Sequence, residues 1–326
     1  MTFNGLEEDF YTLQPDVKRI NIKQNILFNN SIGTFIYWNL AAYSLSKILT
    51  KYDINNVISF LVPANFVNII SNFYLKHSTI ISERNNPEIY KLSKIGEIAR
   101  RFLYKYSDFL VVQTEKVKKW AISFLDIEKV IVIANPVNIE KESINAEDRV
   151  IKDEYIISVG RLDYNKGIDV LIKSFAKINS KFPNIKLVIV GEGELKSQLK
   201  ELTKDIGIEK SVIFYGYSNS PFELIKKAKF FVLSSRTEGF PNVILEAMAL
   251  GKAVISTDCP NGPSEIIQNG LNGILVPVDD VDKLGTAMLS LIEDEKLTLK
   301  LAQKAKEIND KYSIEKIMRK WRELIK

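Results

Sequence analysis

Glu238-Gly239-Phe240-Pro241-Asn242-Val243-Ile244-Leu245-Glu246-Ala247-Met248-Ala249-Leu250-Gly251 follows closely on the apolar run Lys229-Phe230-Phe231-Val232-Leu233-Ser234-Ser235. The apolar run reads as a buried strand. Asn242–Leu250 reads as a helix, and Gly251 is placed to end it. A strand, a loop with one carboxylate and a helix with a second carboxylate eight residues on therefore form one unit. The loop enters a helix N-terminus, where unpaired N–H groups and the dipole favour an anion such as a phosphate. Glu246 stands four residues after Asn242, on the same side of the helix. One carboxylate at the mouth and one deeper in suit a ligand with a charged middle and hydroxyls at both ends, which is the form of a nucleotide sugar.

Working outward, short apolar runs alternate with longer amphipathic ones, the pattern of parallel sheets flanked by helices. In the first half, strands are expected at Val17–Ile22, Asn56–Leu61, Ser78–Glu83, Asp108–Thr114 and Lys129–Asn135. Helices are expected at Thr34–Tyr52, Pro63–Leu75, Glu88–Lys105 and Glu115–Phe124. In the second half, strands are expected at Glu154–Gly160, Ile185–Gly191, Val212–Gly216, Phe230–Ser235, Ala253–Thr257 and Gly273–Pro277. One long helix is expected over Asp280–Tyr312 and a separate terminal helix over Ser313–Lys326. Asn138–Asp153 is polar and aperiodic, a linker. The expected division is 1–138, a linker at 139–152, 153–312 and a terminal helix at 313–326. Residues 1–150 hold three glycines and the remainder twelve, which concentrates ligand chemistry in the second half. The expected fold class is α/β, two doubly wound domains facing a cleft, with ligands beyond the carboxyl ends of the strands.

The 326 residues suffice for two domains. A net charge of +5 and a pI near 8.9 are compatible with anionic phosphates or a membrane surface. No basic run is interleaved with aromatics along one face, so nucleic-acid binding is not expected. The single cysteine, Cys259, excludes an internal disulfide and points to a reducing compartment. No run approaches the roughly 18 apolar residues of a spanning helix. The N-terminus lacks the basic and apolar regions of a secretion signal, so a cytoplasmic location is expected.

The strand-end rule selects further residues. Gly160-Arg161-Leu162-Asp163-Tyr164-Asn165-Lys166-Gly167 places two cations at a strand end, where they can neutralise a diphosphate without a metal. Taken alone, they read equally as solvated cations. Gly191-Glu192-Gly193 is a tight turn or a ligand contact. Phe214-Tyr215-Gly216-Tyr217 offers aromatic and backbone groups to a base, although Phe214 reads as core. Thr257-Asp258-Cys259-Pro260-Asn261-Gly262-Pro263-Ser264-Glu265 is a turn-rich loop that either wraps the ligand or is structural.

As an ordered set over roughly residues 152–310, these motifs resemble the retaining glycosyltransferases of family 4, of GT-B fold. The first half resembles the acceptor domains of that family through Val57–Leu61, Ile80–Asn85 and Ile133–Val137. Bacterial enzymes of surface polysaccharide, lipopolysaccharide and glycan assembly are the nearest in look. The resemblance implies that Arg161 and Lys166 hold the donor diphosphate and that Glu246 binds the ribose. It implies that Glu238 lies beside the transferred sugar. Gly160, Gly191, Gly216, Tyr217, Gly239, Phe240, Pro241, Asn242 and Val243 would complete the donor site. It further implies retention by front-face attack, with no metal and no cofactor. The donor would be a nucleotide sugar, UDP-linked, carrying a hexose or N-acetylhexosamine; the acceptor would be a glycan or a lipid-linked glycan. The alternatives are a non-catalytic nucleotide-sugar-binding protein and a sugar-nucleotide epimerase.

Two departures from the family stand out. Many members carry a histidine in the first domain near the reacting sugar. Here the single histidine, His77, precedes the strand and reads as a surface residue, while Glu83-Arg84 occupies the strand end and is the candidate acceptor side. Members also begin with a strand, a glycine-rich loop and a helix. That unit, roughly 30–45 residues, is expected to be missing ahead of Phe3, leaving an incomplete first domain of lowered stability. Asp279-Asp280 reads as a helix start rather than a metal site. Lys91, Lys94, Arg100, Arg101, Lys105, Lys116, Lys118, Lys119 and Trp120 are either a solvated face or a peripheral contact with the inner face of a membrane.

Overall fold

The computed structural model describes residues 15–20, 22, 31–137, 139 and 151–325. The chain divides into two compact units. One comprises Met1–Val112, Lys118–Val132 and Trp321–Lys326; the other comprises Gln113–Val117 and Ile133–Lys320. The linker expected at 139–152 lies, apart from residues 139, 151 and 152, outside the described residues.

The first unit is built on four parallel strands, β1 (Asn56–Phe60), β2 (Ser78–Ser82), β3 (Phe109–Val112) and β4 (Val130–Val132), in that spatial order. The chain also runs through α1 (Ser31–Tyr52), α2 (Val62–Tyr74), α3 (Lys94–Leu103) and α4 (Glu115–Ala121). Val62 and Pro63 open α2, where proline's missing N–H costs nothing. The helix is fastened to the sheet by polar residues as well as apolar ones. Asn68 donates to the carbonyls of Val57 and Ile80, and Asn65 donates to that of Ser82. The strand expected at Val17–Ile22 does not form among the described residues there, and among the described strands β1 pairs only with β2. Ile22 is nevertheless buried, against α1 and α2. Helix α3 begins six residues later than expected, because Ser93 caps it by accepting from the Gly96 N–H.

The second unit carries six parallel strands: β5 (Tyr155–Val159), β6 (Lys186–Val190), β7 (Val212–Gly216), β8 (Phe231–Leu233), β9 (Val254–Thr257) and β10 (Ile274–Val276). Their order is β10-β9-β8-β5-β6-β7. Strand order therefore reverses between β5 and β8, the switch point at which ligands of open α/β sheets bind. The helices are α5 (Ile168–Asn179), α6 (Lys196–Asp205), α7 (Phe222–Lys227), α8 (Asn242–Ala249), α9 (Pro263–Ile266), α10 (Val281–Glu293), α11 (Glu295–Ala305), α12 (Ile308–Lys311) and α13 (Ile314–Arg322). A core of Ile156, Leu187, Phe230, Val232 and Ile255 packs against Phe175, Leu284 and Met288. The long helix expected over Asp280–Tyr312 is divided. Asp294 interrupts it and caps α11 by accepting from the Leu297 N–H, while Asp280 caps α10 by accepting from the Lys283 N–H. Among the described residues no helix is long and apolar enough to cross a membrane.

Candidate functional site

The carboxyl ends of β5, β6 and β7 are joined by backbone hydrogen bonds. Gly160 N–H donates to Val190, Gly191 N–H to Gly216, and Leu162 N–H to Glu192. Gly191, at φ +143°, is obligatory here, since a Cβ would collide with the Gly160 carbonyl. Tyr217, just beyond, is exposed.

From Gly160 the chain turns through Asp163, whose side chain accepts from the Lys166 N–H, and reaches Gly167 in the left-handed conformation. A Cβ on Gly167 would meet the Ser234 carbonyl of the β8 end. The two loops flanking the switch point are tied together. Ser234 Oγ donates to the Lys166 carbonyl at 2.9 Å, and Arg236 N–H donates to the Asn165 carbonyl at 2.7 Å. The Arg236 guanidinium holds both oxygens of Asp169 and the Tyr164 carbonyl, and lies over the Tyr164 ring. Its Nε is a charge contact, 2.8 Å from Asp279 but not aligned as a hydrogen bond.

This cross-bracing delivers Lys166 Nζ to Glu238 Oε1 at 2.6 Å. The same oxygen accepts from Ser235 Oγ at 2.6 Å, and Thr257 Oγ1 fixes the Ser235 carbonyl. Both ends of the pair are largely shielded from solvent, which makes it stronger than an exposed ion pair. The methylenes of Lys166 pack over Gly160. Arg161 is brought to the same loop but not to the pair: it is 76% exposed and its ion-pair partner is Asp163.

After Glu238, Gly239 and the buried Phe240 and Pro241 lead into α8, with Asn242 and Val243 in its first turn. Asn242 Oδ1 accepts from Asn135. Glu246 differs from Glu238. Its carboxylate has no hydrogen-bond or ion-pair partner among the described residues, and burial alone raises its pKa above the usual value of 4.5. Cys259 is buried nearby in the Thr257–Glu265 loop, its thiol pushed up to about 12 by burial and by the Glu238 charge.

In the first unit, Glu83 is fully interior. It accepts from Tyr104 Oη at 2.6 Å and pairs with Arg100, and burial raises its pKa. Arg84 lies over the rings of Phe60 and Trp321, and burial lowers its pKa to about 10. His77 is not a surface residue. Its ring is buried, 2.9 Å from Asn68 Oδ1 and 2.7 Å from the Leu75 carbonyl, and burial lowers its pKa. The cause is the tight α2–β2 connection, which turns the ring back onto α2.

Sequence reasoning gave no side-chain role to Ser235 or Thr257, and it did not bring Arg236, Asp169 and Asp279 together. Ser234-Ser235 did carry a signal, as two hydroxyls ending an otherwise apolar strand.

Residues 140–308 match the family described as Glycosyl transferases group 1. An uncharacterized glycosyltransferase of Methanocaldococcus jannaschii, MJ1059, is 32% identical over 380 aligned positions, 99% of this chain and 93% of that protein. The GalNAc-alpha-(1->4)-GalNAc-alpha-(1->3)-diNAcBac-PP-undecaprenol alpha-1,4-N-acetyl-D-galactosaminyltransferase of Campylobacter jejuni is 30% identical over 98% of this chain and 87% of its own length. The crystal structure of Anabaena Alr3699/HepE in complex with UDP shares the fold, with a TM-score of 0.76 at 19% identity over 86% of this chain and 80% of that one. The chain belongs to the glycosyl transferases group 1 family and is a glycosyltransferase of GT-B architecture.

Proposed function

We propose that the chain transfers a hexose or N-acetylhexosamine from a UDP-linked nucleotide sugar to a glycan or lipid-linked acceptor. Transfer proceeds with retention and without a metal or cofactor, in the assembly of a surface polysaccharide or related glycan on the cytoplasmic face of a membrane. The observation that carries this reading is Glu246. Its carboxylate is half-buried, has no partner among the described residues and has its pKa raised by desolvation, so leaving it unpaired carries a cost, and the vicinal hydroxyls of a ribose are the donors that offset it. It stands on the helix that the Glu238 loop enters, beside the switch point. The donor is drawn from the UDP bound to Anabaena HepE. The acceptor class and the N-acetylhexosamine are drawn from the name of the Campylobacter relative.

Lys166, with Arg161 reaching in from solvent, neutralises the diphosphate as it leaves; a fixed cation acts most strongly where charge develops. The anomeric C–O bond to the diphosphate breaks. The acceptor oxygen bonds the same face of that carbon, and its proton passes to the leaving phosphate oxygen. Glu238, one oxygen already engaged by Lys166 and Ser235, binds sugar hydroxyls rather than attacking the anomeric carbon. The glycines at 160, 191, 216 and 239, with Tyr217, Phe240, Pro241, Asn242 and Val243, line the rest of the donor. On the acceptor side Arg84 is preferred to Glu83, whose carboxylate is enclosed by Tyr104 and Arg100.

The test is transfer of label from UDP-sugars to glycan and undecaprenyl-linked acceptors. Labelled acceptor supports the reading. UDP binding by calorimetry without turnover or hydrolysis, or a product that is an epimer of the donor, overturns it.

A further inference from the structure

Arg236, Asp169 and Asp279 have no part in the chemistry proposed above, yet they lie where the β5–α5, β8–α8 and β10–α10 connections meet. The Arg236 side chain is only 13% exposed. Its Nη1 donates to the Tyr164 carbonyl at 2.8 Å and to Asp169 Oδ1 at 2.9 Å, and its Nη2 donates to Asp169 Oδ2 at 2.8 Å. The guanidinium carbon is 4.3 Å from the centre of the Tyr164 ring, and Nε lies 2.8 Å from Asp279.

The placement of these contacts along the chain points to their use. Tyr164 stands two residues before Lys166, and Asp169 three residues after it. One guanidinium therefore grips the segment that carries Lys166 on both sides. Arg236 itself stands two residues before Glu238, so the grip refers Lys166 to the strand end that carries its partner. A planar fork is required, because a carbonyl and both oxygens of a carboxylate are engaged at once. The other ties between the two loops do not use the guanidinium: Arg236 N–H to the Asn165 carbonyl, and Ser234 Oγ to the Lys166 carbonyl. They hold the backbone of the turn whatever side chain stands at 236, so the guanidinium can be removed without untying the loops.

We infer that Arg236 is a positioning residue for transfer: through Tyr164 and Asp169 it holds the Lys166 ammonium where charge develops on the leaving diphosphate. The inference rests on the assignment of Lys166 to that diphosphate.

Steady-state transfer from a UDP-sugar and thermal melting are measured on the full chain for Arg236→Gln, Arg236→Lys, Lys166→Ala and the Lys166→Ala, Arg236→Gln pair. Arg236→Gln should lower kcat about 10²-fold, the cost of a misplacement of about 1 Å, with the donor KM nearly unchanged. Arg236→Lys keeps the charge without the fork and should recover only part of that loss. The paired variant should be no slower than Lys166→Ala alone, whereas independent contributions would multiply to about 10⁴-fold. Melting runs the same cycle without catalysis. Lys166→Ala should lower the melting temperature of the wild type by roughly 3–6 °C and that of Arg236→Gln by clearly less, since the Glu238 contact is already loosened there. Asp169→Asn, which opens one end of the grip, carries the same comparisons if Arg236→Gln does not fold. A full rate in Arg236→Gln, full recovery in Arg236→Lys, or a multiplicative loss in the pair overturns the inference. Absence of transfer in the wild type would contradict the proposed function, and melting would still decide the positioning: equal losses from Lys166→Ala in the two backgrounds overturn it.

Discussion

Replacing Glu246 with Gln separates the ligand-binding role of this carboxylate from its cost to the fold. In the free protein the carboxylate is half-buried with no counter-charge among the described residues, and desolvation holds its pKa above that of the unfolded chain. Its ionisation therefore costs stability at neutral pH. The penalty is absent below the unfolded value near 4.5, grows as pH rises, and is complete above the folded pKa. Glu246→Gln removes it. The unliganded variant should melt higher than wild type at pH 7, and the gap should close as pH falls toward the unfolded value. Binding moves the other way. A carboxylate accepting two ribose hydroxyls makes charge-assisted bonds of about 1.5–3 kcal/mol each, and an amide offers one neutral acceptor. Loss of one such bond weakens UDP by about 10- to 150-fold. Isothermal calorimetry with UDP and melting curves across pH read the two effects. UDP affinity unchanged in the variant would remove Glu246 from the ribose role. A lower melting temperature at pH 7 would show that the carboxylate has a partner in the fold.

The remaining expectations concern the cross-braced loops. Lys166→Ala should slow transfer by about 10²-fold or more, the cost of deleting one transition-state donor; a near-normal rate would place the diphosphate elsewhere. Loss of the 2.6 Å bond to Glu238 should also destabilise the second unit by about 1.5 kcal/mol. That corresponds to roughly 3–6 °C for a unit of this size, and an unchanged melting temperature would contradict it. Gly191→Ala forces φ +143° on a residue with a Cβ and drives that atom into the Gly160 carbonyl. Strain alone costs about 1–3 kcal/mol, so an alanine variant with wild-type stability would refute the packing described for the β5 and β6 ends. Transfer should survive EDTA; strict dependence on added Mg²⁺ or Mn²⁺ would refute the metal-free reading.

Much of the second unit was legible because its strands are apolar runs, four of the six ending in glycine or serine, the pattern a doubly covered parallel sheet requires. All six strands form where expected. The strand-end rule then led to Lys166 and Glu238 without any knowledge of strand order. What it could not supply was their contact, which depends on β5 and β8 being neighbours although 73 residues lie between their last residues, Val159 and Leu233. The Arg236–Asp169–Asp279 cluster was illegible for the same reason: its members share no periodicity. Helix ends failed where a capping side chain outweighed apolar spacing, as at Ser93 and Asp294. In the first unit, His77 and Arg100 were misjudged because polar type suggested solvent. Burial of each is offset by partners on other elements: Asn68 for the histidine, Glu83 for the arginine.

The measurement that bears most directly on the central claim is proton NMR of the product formed from a UDP-α-sugar in the presence of EDTA. The account predicts an α-linked sugar on the acceptor, formed as UDP is released. A β-linked product, or UDP bound but never released from the donor, would contradict it.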